Sequence, residues 1–376
     1  MKFTIPAAKV RQGDLLLFTS SFPVRDLIQN DFYSIERLDP SDQGVSGYQR
    51  LLQTSRARRL ADYIVRGLES KDAFLPTSVF LATDKAIEFD SVKNTISFDL
   101  NSVGPFSVVD GQHRLEGLRL AAEKDERVLD FEIPVNIASE MPLLHQMCHF
   151  LIVNTTQKSV DKSIEQNIYS RLTQYQNTED TPNLPQWIKK IVDRGDVDKA
   201  LRITQFLNQE PESAWENKVQ MANEPRKKTT TIKQGSFVAA INKYFLVPSN
   251  PLLASADLET QKKILLNYWK AIANLLDEEK DTVLFKTNGL ALFSRFSIPF
   301  FVKIQGTTNK FTINAMQELL QTCFDNIEGQ YEGIGFADWW NKGGTASSMN
   351  MAAIGNIVSE MSRALNQTST GKEIEL

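Results

Sequence analysis

The chain has 376 residues, enough for two domains or one large one, and its 41% hydrophobic and 23% charged content is that of a globular protein with a real core. Its 42 Lys and Arg face 46 Asp and Glu, a net charge of -4, which excludes an all-over basic surface, so nucleic acid must meet a local basic patch. Two cysteines, Cys148 and Cys323, exclude a disulfide framework, the opening Met1-Lys2-Phe3-Thr4-Ile5-Pro6 lacks the apolar core of a signal peptide, and no run approaches a membrane span.

These features predict a cytoplasmic, reducing setting with no membrane partner. In chain order, Leu15 to Thr19 predicts a short strand. From Thr54 a helix is expected, because Ala57, Leu60, Ala61, Ile64, Val65 and Leu68 recur at helical spacing, with Arg56, Arg59 and Arg66 on another side. Gly67 and the following Glu-Ser-Lys-Asp mark its end. Thr77–Thr83 reads as a buried strand, Thr95–Leu100 as an alternating one, and Phe106–Val109 as a third. Gln112–Lys124 predicts a helix with Leu115, Leu118, Ala121 and Ala122 inward. Phe131–Ile137 is a further strand whose proline points to an edge or a strand end.

Beyond Ser139 the pattern turns helical. Ser139 is placed to cap a helix through Leu144, Cys148 and Leu151, and the polar Asn154-Thr155-Thr156-Gln157-Lys158 reads as a break before another helix around Ile164 and Leu172. Pro182 and Pro185 flank a loop. Helical patterns recur around Trp187–Val192, Phe237–Phe245, Gln261–Leu276, Leu284–Phe301, Asn314–Phe324 and Met351–Ala364, and Gln367–Leu376 reads as a tail. The expected class is α+β, an N-terminal α/β domain over 1–175 followed by a mostly helical region over 176–376.

The chemistry concentrates at Ser107-Val108-Val109-Asp110-Gly111-Gln112-His113-Arg114, where an apolar strand passes through Asp-Gly into a helix. Backbone N–H groups and the helix dipole at such a turn attract anions, phosphate above all. Gly111 lets a ligand approach the backbone, Arg114 can fork onto phosphate oxygens, His113 can donate a hydrogen bond or move a proton, and Asp110 can hold a metal or orient water. The spacing alone equally allows Asp110 to be a helix cap and His113 and Arg114 to be solvated. No Walker-type loop is present, which excludes only that solution.

Asp110-Gly111-Gln112-His113-Arg114 is the signature of the DGQHR-domain family, which the chain resembles over about residues 45–170. The likeness extends to Gly47-Tyr48-Gln49-Arg50, Arg56 to Tyr63-Ile64 and Leu75-Pro76 upstream, and to Phe150–Val160 downstream. It implies a ParB- and sulfiredoxin-like fold with nucleotide bound at the strand-to-helix turn. Carried onto this chain, it implies Asp110 and His113 as catalytic residues. Gly111, Gln112, Arg114, Gln49, Arg50, Asn154, Gln157 and Lys158 would bind nucleotide, with ATP and Mg2+ as cofactors. Within the family the chain is more similar to DpdB, the partner in deazaguanine insertion into DNA, than to DndB, the regulator attached to DNA phosphorothioation. The ground is Asn154-Thr155-Thr156-Gln157-Lys158, where the latter pattern has an Asn-Arg-His type of element.

The resemblance thus implies an ATPase serving a tRNA-guanine-transglycosylase-like enzyme on DNA. The rival readings are a DndB-like DNA-binding regulator and a ParB-type nuclease. DNA contacts are expected from Arg56 and Arg59, and from Arg226, Lys227 and Lys228 in a basic, threonine-rich loop. Trp339-Trp340 is a candidate base-stacking pair or a core pair. His145 and His149, four apart around Cys148, have zinc spacing but no recognisable third ligand, so core packing is the expected role and no resident metal. A homo-oligomer is left open by the sequence.

Overall fold

The computed structural model describes residues 1–28, 31–39, 47–157, 161–176, 184–250, 256–276, 283–328 and 351–367. The candidate pair Trp339-Trp340, Pro182 and the tail beyond Gln367 lie outside them. The chain divides into two compact units, Met1–Gln186 and Trp187–Leu376.

The first unit is α+β. Its strands are β1 (Lys2–Pro6), β2 (Ala8–Gln12), β3 (Leu15–Pro23), β4 (Tyr33–Ser34), β5 (Val79–Ala82), β6 (Glu88–Asp90), β7 (Thr95–Asp99), β8 (Phe106–Asp110) and β9 (Glu132–Ala138). Its helices are α1 (Val24–Leu27), α2 (Thr54–Ser70), α3 (Leu100–Val103), α4 (Gln112–Ala122), α5 (Leu143–Gln157) and α6 (Lys162–Gln174). A six-stranded mixed sheet runs β2-β3-β9-β5-β8-β4, and a three-stranded sheet runs β1-β7-β6. β8 lies antiparallel to β5 and parallel to β4, and β5 lies parallel to β9.

The central strands are apolar because helices cover them. Val79, Leu81, Val108, Val135 and Ile137 are fully buried. α2 presents Ala57, Ala61 and Ile64 inward and packs on α4, small residues at two of these positions letting the helices approach closely. α2 ends where Lys71 turns left-handed and its N–H bonds back to Gly67 O.

Three expectations need correction. The strand with Pro134 is interior, between β3 and β5, yet β5 pairs only from Val135 onward, so at Pro134 the strand has a neighbour on one side alone. Ser139 does not cap α5. Its hydroxyl accepts from Ile87 N at 2.9 Å and donates to Lys85 O at 3.1 Å, tying two loops together. The polar segment after Val153 is no break, for α5 runs on through Gln157. The hydroxyl of Thr155 and the amide of Asn154 donate to carbonyls one turn back, Leu151 O at 2.6 Å and Phe150 O at 2.9 Å, which lets polar residues continue a helix.

The second unit is helical, with helices at Gln186–Arg194, Asp196–Gln209, Gln234–Tyr244, Leu258–Leu275, Thr287–Thr307, Ile313–Glu328 and Met351–Asn366. The first begins on the last residue of the preceding unit. Its core centres on the fully buried Trp215, Trp269, Tyr268 and Phe296, with Trp215 and Trp269 edge-to-face at 5.4 Å. No helix among the described residues is long and apolar enough to cross a membrane.

Candidate functional site

The site forms where β8 runs into α4. Gly111 is the N-cap at φ +109°, a backbone few side chains adopt, and an added Cβ would press on Val79 Cγ2 at 3.1 Å and Arg114 Nε at 3.3 Å. No side chain caps this helix, so Asp110 is not the cap. Its carboxylate instead accepts from Arg114 Nη2 at 2.6 Å across one helical turn. α4 therefore starts at the pocket with no side-chain cap on its first turn among the described residues.

A strap wraps the end of β8. Tyr48 and Gln49 donate their N–H groups to Glu36 O at 2.8 and 2.7 Å, and Leu38 N returns a bond to Gln49 O at 2.9 Å. The buried Gln49 amide donates to the carbonyls of Val108 and Val109 at 2.8 and 2.9 Å, and the Tyr48 hydroxyl to Val108 O at 3.3 Å. Burial pushes the Tyr48 hydroxyl strongly up, so it stays a neutral donor. The buried Arg171 of α6 donates to Gly47 O and, at 3.2 Å, to Asp39 O, tying both residues to α6.

A pocket of about 120 Å³ opens there, lined by Gln49, Arg50, Asp110, Gly111, Gln112, His113, Arg114, Phe150 and Asn154. Of the residues predicted to bind nucleotide, Gly111, Gln112, Arg114, Gln49, Arg50 and Asn154 thus come together around Asp110 and His113. Gln157 is the last residue of α5, and Lys158 lies outside the described residues. Gln112 is 4% exposed, its amide nitrogen donates to Arg50 O at 3.3 Å, and its Oε1 has no partner among the described residues. Sequence reading missed Tyr48, Arg171, Phe150 and the backbone of Gln53. Tyr48 stood beside Gln49 in the resemblance, but nothing local marks Arg171, more than a hundred residues from the carbonyls it binds.

The electrostatics are cationic. His113 is pushed down to about 4, first by burial, then by Arg50 and Arg56, with Asp110 opposing. Arg50 is itself lowered by burial and by Arg56, against Asp110 and Asp161. The His113 imidazole is neutral near pH 7, and its Nε2 accepts from Gln53 N at 3.0 Å. That bond leaves the Nδ1–H as the donor and ties α4 to the start of α2.

The depressed pKa carries a pH dependence. Between about 6.5 and about 4 an unfolded chain takes up a proton at this histidine that the folded chain refuses, so this site's stabilisation is full above 6.5 and is lost as pH falls through that window. An anion in the pocket must raise the His113 midpoint. Imidazole NMR should find a midpoint near 4 that moves upward when pyrophosphate is added; a midpoint near 6.5, unmoved by anion, would contradict the geometry.

The remaining predicted residues, Arg56 apart, are exposed. Arg59 lies on the outer face of α2, while Arg56 is half-buried and near enough to act on Arg50 and His113. Arg226, Lys227 and Lys228 project from a loop of the second unit that is tied by Thr229 Oγ1 to Asn217 O at 3.0 Å and by Lys227 N to Thr230 Oγ1 at 3.2 Å. His145, Cys148 and His149 line a separate cleft of about 480 Å³ with Asp14 and Glu140, and burial raises the Cys148 thiol to about 11. Among the described residues no group of three or more His, Cys, Asp or Glu comes together to hold a metal.

A mixed sheet, a left-handed glycine and converging arginines define the first unit as an α+β module with a cationic pocket at a strand-to-helix turn. The chain belongs to the DndB family, described as DNA-sulfur modification-associated, whose model matches residues 5–289. That match spans the Asp110–Arg114 turn and the Asn154–Lys158 segment. No curated protein matches the chain, and no solved structure does. The likeness to ParB and sulfiredoxin thus rests on the signature alone.

Proposed function

We propose that the chain is a nucleotide-responsive component of a DNA-sulfur-modification system, binding the phosphates of ATP at the turn after β8. The observation that carries this reading is the convergence of Arg50 and Arg114, with Arg56 near enough to act on His113, on a pocket with one lining carboxylate among the described residues, beside a helix start and Gln112 Oε1, which has no partner among those residues. At about 120 Å³ it is smaller than the roughly 300–1,000 Å³ of pockets that enclose a drug-sized ligand, so it suits a phosphate group, with ribose and base outside. Mg2+ would arrive on the nucleotide phosphates, Asp110 being the only carboxylate among the described residues that lines the pocket.

The same reading includes ATP hydrolysis, with Asp110 orienting water or Mg2+. His113, neutral and already accepting from Gln53 N, serves as a positioning residue and donor in place of the proton-transfer role expected of it. DNA-bound and free states would differ with the nucleotide held, which unites the ATPase and regulator readings. The lean towards deazaguanine insertion and a transglycosylase partner rested on Asn154–Lys158. The family match runs through that segment, so we favour the sulfur-modification association.

Asp110→Asn tests the site. Removing a negative charge from the pocket should hold or tighten Mg-ATP binding in a calorimetric titration and slow turnover at least about tenfold. Wild-type protein that binds no ATP ends the proposal, and unchanged turnover in the variant removes Asp110 from hydrolysis.

A further inference from the structure

The outer face of α2 carries a feature that, Arg56 apart, the phosphate pocket does not use. Arg56, Arg59, Tyr63 and Arg66 stand at i, i+3, i+7 and i+10, one face of a helix. Over ten residues that face is about 15 Å long. The Nε groups of Arg59 and Arg66 donate to carbonyls one turn back, Ser55 O at 3.3 Å and Asp62 O at 3.0 Å, which lays both guanidinium groups along the helix surface. Neither these arginines nor Arg56 and Arg58 has an ion-pair partner among the described residues, whereas Arg25, Arg114, Arg119 and Arg127 of the same unit are all paired. The acidic residues of α2 are largely engaged elsewhere: Asp62 bonds Lys124 of α4 at 2.6 Å while also acting on Arg66, and Glu69 acts on Arg127. The face keeps a net positive charge, with Arg66 partly compensated by Asp62.

Aromatic surface lies on the same face. Tyr63 is 41% exposed and Phe74 69%, and they are the exposed large aromatic side chains among the described residues of this unit. The Tyr63 hydroxyl donates to Phe74 O and accepts from Phe74 N, both at 3.1 Å, so the backbone of Phe74 is fixed beside Tyr63. Leaving a phenylalanine in water while fixing its backbone costs free energy that a partner can recover. Charge beside ring faces, spaced along one helix, fits a strand whose phosphates meet arginine and whose bases lie open to stack. A duplex offers the phosphates but keeps its base faces covered.

We propose that the Arg56–Arg59–Tyr63–Arg66–Phe74 face is a binding path for single-stranded DNA, with Tyr63 and Phe74 as its stacking platform. The inference shares only Arg56 with the nucleotide reading and stands without it.

The test is fluorescence anisotropy of a labelled oligo-dT, the same length of duplex, and an abasic oligomer that keeps the phosphates without bases. The wild type should bind the single strand about tenfold tighter than the duplex at low salt. Phe74→Ala should weaken oligo-dT about tenfold and barely change the abasic strand, as removal of one stacking contact requires. Tyr63→Phe keeps the ring but frees the Phe74 backbone and should fall between wild type and Tyr63→Ala, while Tyr63→Ala should fall at least as far as Phe74→Ala. Arg59→Gln with Arg66→Gln should flatten the salt slope by about 0.7 per arginine. Mg-ATP affinity, measured in the same variants, should not move, which separates failure here from failure of the pocket.

Duplex binding equal to single-strand binding, with Phe74→Ala without effect, would overturn the proposal. So would loss of all oligo-dT binding on neutralising Arg226, Lys227 and Lys228 with the α2 variants unaffected. No oligo-dT binding by the wild type at low salt ends it outright.

Discussion

Gly47→Ala is expected to be among the most destabilising single substitutions in the first unit. Gly47 has φ +73°, and a Cβ there would fall inside the backbone of Arg37 and reach Leu38 N at 2.9 Å. These are main-chain atoms of the strap's own ladder, so no side chain can rotate away to relieve the clash. A left-handed non-glycine residue costs about 1–3 kcal/mol by itself, and displacing the strap adds the loss of the Gln49 bonds to Val108 and Val109. The sum should exceed about 3 kcal/mol, which lowers the melting temperature of a unit this size by roughly 6–12 °C. The same change should abolish phosphate binding below the transition, because Gln49 fixes the carbonyls that precede Asp110. Thermal unfolding by circular dichroism, followed by calorimetric titration at low temperature, measures both. A melting temperature within a degree or two of wild type would mean that the strap does not hold the end of β8.

Arg114→Ala should cost about 1.5–3 kcal/mol of Mg-ATP affinity, roughly a 10- to 150-fold rise in Kd. Two losses combine. The forked contact to phosphate goes, and Asp110 is left without the guanidinium that stands 2.6 Å from it, an uncompensated negative charge in the pocket. The second loss is separable: the Asp110→Asn/Arg114→Ala double variant should recover part of the affinity, a coupling expected of directly paired residues. Arg114→Lys should be intermediate, since lysine keeps the charge without the planar fork. Unchanged affinity in Arg114→Ala places the phosphate elsewhere on the molecule.

Much of the local structure was written in short stretches of residues. The inward face of α2, the alternation in β7 and the strand-to-helix change at Asp110–Gly111 each follow from side-chain periodicity and from a glycine where the chain must turn left-handed. So did the residue types at the pocket, because backbone N–H groups at a helix start and an adjacent arginine suit phosphate whatever surrounds them. The helix Asp196–Gln209 was missed although Asp196 and Asp198 open it, since its apolar positions are short and interrupted by polar ones.

Only tertiary structure could decide the rest. Asn154 reads as loop by composition, yet α5 packs on β8 and carries it into a helical turn beside the pocket. Pro134 reads as an edge, yet β5 begins one residue later, so an interior strand accommodates it. His113 reads as a proton carrier, yet the chain folds Gln53 onto its Nε2 and brings Arg50 and Arg56 against it, which removes its charge. In each case a local pattern sets what a residue can do, while neighbours brought from forty or more positions away set its conformation, its charge state or its remaining hydrogen-bonding capacity. Those neighbours are chosen by burial of apolar surface across the whole sheet, a sum over distant residues that no local window contains.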